Sequence, residues 1–196
     1  MWVVKLGGSL AGSPELSPWL ACLAEHGGGR VAVVPGGGPF ADAVRQAQQH
    51  WKFPDPSAHR MACLAMDQYG WMLTGLEPRL RPASDLSEIR ERFMAKEVPV
   101  WLPGSTMGDH PDIPQSWDIT SDSLAAWLAR QLGACRLVLV KSVSPPAGEV
   151  SVEELCRRGV VDSGFFGLLA DADFKTLWLG REDHGLFARL LNGAAA

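Results

Sequence analysis

Apolar positions follow two rhythms along this chain. Short, almost unbroken apolar runs occur at 2–5, 30–34, 98–102, 136–141 and 176–179. Runs of four to six residues with little polar alternation fit strands covered on both faces, as in a parallel sheet. Between them, apolar residues recur every third or fourth position at 17–26, 39–49, 57–76, 86–96, 123–132, 152–158 and 183–191, the period of helices with one buried face. Glycines at 27–29, 133 and 159 fall where these helices should end. Strands alternating with helices predict an α/β fold, specifically a three-layer αβα sandwich around a mainly parallel central sheet. No shift in composition divides the 196 residues, so one domain is expected.

Three places interrupt the pattern with polar or glycine-rich sequence. The first is Trp117-Asp118-Ile119-Thr120-Ser121-Asp122-Ser123, which enters the apolar segment Leu124-Ala125-Ala126-Trp127-Leu128-Ala129. Ser121, Asp122 or Ser123 either caps the free N–H groups of that helix or leaves them to a phosphate, and local sequence leaves both readings open. The second is Val3-Val4-Lys5-Leu6-Gly7-Gly8-Ser9, and the third is Val33-Val34-Pro35-Gly36-Gly37-Gly38-Pro39. Consecutive glycines let backbone approach a ligand and can form an anion-binding concavity. Neither turn has the spacing of a P-loop or of a dinucleotide-binding fingerprint. Both follow a strand, as does Lys141, and ligands in open parallel sheets bind beyond the carboxyl ends of strands. Lys5 and Lys141 are the candidate cations, since a lysine ending an apolar strand is costly to bury without an anion.

The order of these pieces, from the N-terminal Lys-x-Gly-Gly-Ser through Pro-Gly-Gly-Gly to Thr-Ser-Asp-Ser, resembles the amino acid kinase family. Further matching pieces are Ser57-Ala58-His59-Arg60-Met61-Ala62, Met66-Asp67 and Asp162-Ser163-Gly164-Phe165. The likeness is greatest to the branch acting on [5-(aminomethyl)furan-3-yl]methyl phosphate in methanofuran-type one-carbon cofactor biosynthesis. The resemblance implies an ATP-dependent kinase with Mg2+ carried on the nucleotide and a small-molecule phosphate acceptor. It implies catalytic roles for Lys5 and Lys141, with Asp122 orienting them. It places ATP at Gly7, Gly8, Ser9, Thr120, Ser121 and Ser142, and the acceptor at Gly36, Gly37, Gly38, His59, Arg60, Asp67 and Ser123. The acceptor part would occupy roughly 1–115 and a shortened nucleotide part roughly 116–196. Within this reading, Arg60 engages an acceptor phosphate bidentately and Asp67 meets an aminomethyl cation. Isopentenyl phosphate kinases carry a histidine shortly after the triple glycine; Asp42 stands there in this chain, against an isoprenoid acceptor.

Two departures from the family pattern keep a second class open. There is no Gly-Gly-Met-x-x-Lys stretch, and Ser142-Val143-Ser144-Pro145-Pro146 stands where an Asp-Gly turn is common. A non-catalytic nucleotide- or oxyanion-binding protein on the same fold, or a kinase for isopentenyl phosphate or an amino acid, therefore remains an alternative.

Composition narrows the picture further. The formal net charge is −4 with no lysine or arginine run, which gives no footprint for nucleic acid or an anionic membrane. No apolar segment is long enough to span a bilayer and Met1 leads directly into a strand, so a cytoplasmic location is expected. Cys22, Cys63, Cys135 and Cys156 form no Cys-x-x-Cys pair and read as buried free thiols. Asp109-His110-Pro111-Asp112 offers metal-ligand types, but the surrounding Gly108 and Pro114 mark a loop, so no metal site is assigned. Tryptophans on apolar helix faces, including Trp19, Trp71 and Trp127, read as core or as subunit contact, and with the family resemblance they suggest a homo-oligomer.

Overall fold

The computed structural model describes residues 1–142, 152–169 and 172–193. The five apolar runs and one further short segment form six parallel strands, β1 (Trp2–Leu6), β2 (Val31–Pro35), β3 (Leu80–Ala83, the further segment), β4 (Val98–Trp101), β5 (Arg136–Lys141) and β6 (Lys175–Gly180), in one sheet of order β3-β4-β2-β1-β5-β6. A 3-10 turn at Gly8–Gly12 and helices α1 (Leu16–His26), α2 (Gly38–Trp51), α3 (Asp55–Leu76), α4 (Leu86–Met94), α5 (Gly104–Met107), α6 (Ser121–Leu132), α7 (Val152–Arg157), α8 (Phe165–Leu169) and α9 (His184–Leu191) complete the described elements. They make the sheet the middle of three layers.

Side chains alternate across the pleat and divide the core in two. Val3, Ala32, Val34, Leu137 and Leu139 face α6 and share one core with its Trp127 and with Trp101 and Phe165. Val4, Leu6, Val33, Val138 and Val140 face α1 and α9, where Trp19 and Phe187 fill the space. Residues of α3 reach both cores, Cys63 and Met66 in the first, Tyr69 and Leu73 in the second. Trp101 and Trp127 stack with ring centres 5.8 Å apart, joining β4 to α6. Trp19 and Trp127 are core residues as expected, whereas Trp71 is exposed. Cys22 and Cys63 are buried, but Cys135 is exposed and Cys156 only partly covered, because both lie at the ends of elements.

Three elements escape the sequence pattern. Strand β3 reads Leu-Arg-Pro-Ala and is too short and polar to signal a strand; it pairs only with β4, and an edge is where a strand proline is tolerated. Helices α5 and α8 span four and five residues, too few to establish a helical period.

The chain order places the switch point beside β1. The chain runs from β1 to β2 on one side and returns at β5 on the other, and here the crevice of an open α/β sheet forms. The sheet ladder continues past the strands: Gly7 N–H donates to the Val140 carbonyl at 3.0 Å and Gly36 N–H to the Leu6 carbonyl at 2.9 Å. The two glycine turns then meet backbone to backbone. A Cβ on Gly8 would lie 2.4 Å from the Gly38 nitrogen, and one on Gly36 would lie 2.4 Å from the Gly8 nitrogen. Gly38, at φ +53°, starts α2 in the left-handed region.

This abutment predicts that Gly8→Ala lowers stability by roughly 1–3 kcal/mol, because backbone must move to admit the methyl group. Gly12→Ala, at a site with nothing within 4 Å of the added carbon, should change it by less than about 0.5 kcal/mol. Urea denaturation midpoints of the two variants check the contrast.

Candidate active site

Lys5 projects from the same face of β1 as Val3, and Lys141 ends β5 two residues beyond Leu139 on that face, so period-two alternation aims both toward α6. Asp122, in the first turn of α6, meets them. Lys5 Nζ lies 2.8 Å from Asp122 Oδ1, and Lys141 Nζ donates to Asp122 Oδ2. Asp122 and Lys5 are 3% and 5% exposed, so neither charge is solvated by bulk water. Burial pushes the Asp122 carboxyl up, but the two ammonium groups outweigh it and hold it below the usual carboxylate range. Burial and the nearby Lys5 charge pull Lys141 down to about 8, against the opposite influence of Asp122 and Asp162. One carboxylate is shared by two ammonium groups, and the Asp162 charge also acts on Lys141.

The cluster forms the floor of a cleft of about 800 Å³. Gly8, Ser9, Gly37 and Gly38 line one side, and Thr120, Ser121 and Gly159 to Asp162 line another. Apolar wall is supplied by Ala62, Cys63, Met66, Ile119 and Leu124. At the mouth, Arg45 lies 4.4 Å above the Trp117 ring and 3.1 Å from Asp42, while Trp117 Nε1 donates to Gln48 at 2.6 Å. Asp42, Arg45 and Trp117 also line the cleft.

The start of α6 is closed from a distance. Its N-cap Thr120 makes no side-chain capping bond. The Asp162 carboxylate takes that place, accepting from Thr120 N–H at 2.9 Å, Thr120 Oγ1 at 2.6 Å, Ser123 N–H at 3.2 Å and the Ser123 hydroxyl. A cap from Ser121, Asp122 or Ser123 is not what the structure shows: Asp122 is drawn to the lysines, and an acid about forty residues downstream caps the helix.

The other expected site residues divide by the same local chemistry. Lys5, Gly8, Ser9, Gly37, Gly38, His59, Thr120, Ser121, Asp122 and Lys141 line the cleft. Gly7 and Gly36 do not, because their N–H groups complete the sheet ladder. Ser123 is fully buried beneath the cleft with its hydroxyl given to Asp162, and Ser142 is exposed outside it. His59 is buried with Nε2 set 3.2 Å from the Met107 carbonyl, so that N–H donates to backbone. Arg60 turns outward to Asp109 at 3.1 Å, and Asp67 accepts from Gly104 N–H at 2.8 Å; neither reaches the cleft. Both sit on α3 near α5, whose one turn was invisible in sequence, and α5 with the loop after it claims them. His110 packs against Trp127 with ring centres 5.2 Å apart. The residues that sequence reasoning left without a role at this site are Arg45 and Asp162. Asp162 stood in a matching motif, but nothing local tied it to α6.

An open α/β sheet with paired lysines at its switch point and glycine turns around a cleft defines a class of proteins that bind a ligand beyond the carboxyl ends of their strands. The chain matches the amino acid kinase family over residues 1–145 and belongs to it. It is 25% identical over 146 residues to the [5-(aminomethyl)furan-3-yl]methyl phosphate kinase of Methanocaldococcus jannaschii, a match that covers 73% of this chain and 66% of that protein. The fold is also that of uridylate kinase from Archaeoglobus fulgidus, with TM-score 0.74, 20% identity and coverage of 99% and 96% of the two chains. An isopentenyl phosphate kinase structure matches with TM-score 0.65, 15% identity and coverage of 100% and 98%. These relatives and fold neighbours are kinases by name.

Two outcomes follow from the charge cluster. Asp122→Asn leaves two buried ammonium groups without a carboxylate and should cost about 3–5 kcal/mol in a denaturation experiment at neutral pH. Lys141 titrates near 8 when folded against 10.5 for an ordinary lysine. Over that interval the unfolded chain binds more protons, so the Lys141 contribution to stability rises with pH. Stability measured at steps across this window should climb more steeply for the unsubstituted protein than for Lys141→Gln.

Proposed function

We propose that this protein is an ATP-dependent kinase that transfers the γ-phosphate to a small-molecule acceptor already bearing a phosphate. The observation carrying this reading is the Lys5–Asp122–Lys141 cluster at the floor of a cleft flanked by glycine turns. Phosphoryl transfer asks the protein mainly for alignment and charge stabilisation. An acceptor phosphate oxygen attacks the γ-phosphorus, the bond from that phosphorus to the β,γ-bridging oxygen breaks, and ADP leaves. Lys5 and Lys141 lie where charge builds on the moving group and the departing oxygen. Asp122 keeps both ammonium groups aimed and need not act as a base, because an ionised acceptor phosphate has no proton to lose. Among the described residues no three His, Cys, Asp or Glu side chains converge on a metal position. This donor set suits Mg2+ carried on the ATP phosphates, where it supplies further charge neutralisation.

We assign the acceptor to the side of the cleft built by residues up to about 115, and the nucleotide to the side built by those beyond it. The acceptor side joins the apolar Ala62, Cys63 and Met66, the Arg45 guanidinium and the Asp42 carboxylate, and Arg45 brings it against the Trp117 ring. A flat ring bearing an anionic and a cationic substituent suits such a wall, which supports [5-(aminomethyl)furan-3-yl]methyl phosphate, the substrate in the name of the Methanocaldococcus jannaschii relative, as acceptor. Asp42 replaces Asp67 as the carboxylate available to an aminomethyl cation.

No described helix is long and apolar enough to cross a membrane. The homo-oligomer suggested by family resemblance would use the outward face of α3, where Met61, Leu64 and Trp71 are exposed.

Mixing the protein with Mg-ATP and the furan phosphate should give the diphosphate by mass spectrometry, and Lys5→Ala should lower its rate by roughly a hundredfold or more. ATP bound without turnover of any phosphate acceptor would instead mark a binding protein. Preferred turnover of isopentenyl phosphate would reject the furan assignment.

A further inference from the structure

Asp162 sits in the stretch between α7 and α8, beyond the end of the family match at residue 145. Its four hydrogen bonds bracket Asp122: Thr120 lies two residues before that carboxylate and Ser123 one residue after it. The same stretch is fastened again where Gly164 N–H donates to the Asp118 carbonyl at 2.8 Å and Ser163 Oγ to Asp118 at 2.6 Å. A first turn pinned on both sides of residue 122 cannot roll. Asp122 has to keep one oxygen toward Lys5 and the other toward Lys141, which a rolling turn would spoil.

We propose that Asp162 is a positioning residue of the phosphoryl-transfer site, holding Thr120 and Ser123 so that Asp122 stays registered between Lys5 and Lys141. This rests on the kinase reading given above. The same carboxylate takes the Thr120 and Ser123 N–H groups, so it also caps the start of α6. Its charge acts on Lys141 as well. The charged groups around Lys141 are Lys5 from β1, Asp122 from α6 and Asp162, and Asp162 favours the protonated ammonium where Lys5 opposes it.

Asp162→Asn keeps the side-chain shape and removes the charge; Ser123→Ala keeps the charge and removes one tether. The Lys141 titration is read by NMR of isotope-labelled lysine in the free protein, with the signal assigned through Lys141→Arg, and turnover is read at saturating ATP. Asp162→Asn should move the Lys141 midpoint from about 8 to lower pH and reduce kcat by roughly 10- to 100-fold with little change in the KM for ATP. Ser123→Ala should leave the midpoint in place and lower kcat by a smaller factor. If Asp162→Asn lowers only the melting temperature, with midpoint and kcat unmoved, Asp162 is a fold clamp and the proposal fails. If that variant does not fold, Ser123→Ala decides, and an unchanged kcat overturns the proposal. A shifted midpoint in a protein that turns over no acceptor would sink the kinase reading while leaving the coupling of Asp162 to Lys141 standing.

Discussion

The architecture turns on one buried carboxylate facing two lysines. Lys5 and Lys141 come from adjacent strands of a tightly paired sheet, and without Asp122 the two ammonium groups would repel in a region of low dielectric. This constraint orders much of what surrounds it. The strands must end in register, α6 must point its first turn at the sheet edge, and the backbone beside Lys5 must come close enough to be made of glycine. It also explains why the site is built on strand ends and a helix terminus instead of long loops: only rigid elements hold three charges at contact distance.

The sheet and its helices were legible because their signals are periodic and repeated. All five apolar runs match their strands to within one residue at each end, and the long helices were visible from spacing. Two lysines and an aspartate were legible for a related reason: each stands at the boundary between an apolar element and a polar turn, a position that sequence marks plainly. Strand β3 was hidden because Arg81 and Pro82 break the apolar run, and an edge strand tolerates both.

Contacts across the chain were not legible. Arg60 and Asp67 looked like pocket residues because their helix borders the cleft, but α5 and Asp109 engage them from the other side. His59 does border the cleft, yet spends its Nε2 on the Met107 carbonyl. In each case the helix was placed correctly and the rotation of the side chain was not, since rotation is settled by partners far along the sequence. The glycines show the same division. Sequence marks all of them as turn formers, but only structure separates Gly7 and Gly36, which extend the sheet, from Gly8 and Gly38, which touch each other and face the cleft.

The tether from Asp162 to α6 has a consequence for recombination between relatives. The segment shared with the family stops short of that aspartate, yet the helix carrying the central carboxylate is finished by it. The N-terminal portion and the stretch that follows therefore form a matched pair. A chimera that takes the residues beyond 145 from another protein would keep Lys5, Asp122 and Lys141 and still lack a fixed α6 terminus, unless the donor brings an acid to the same point in space.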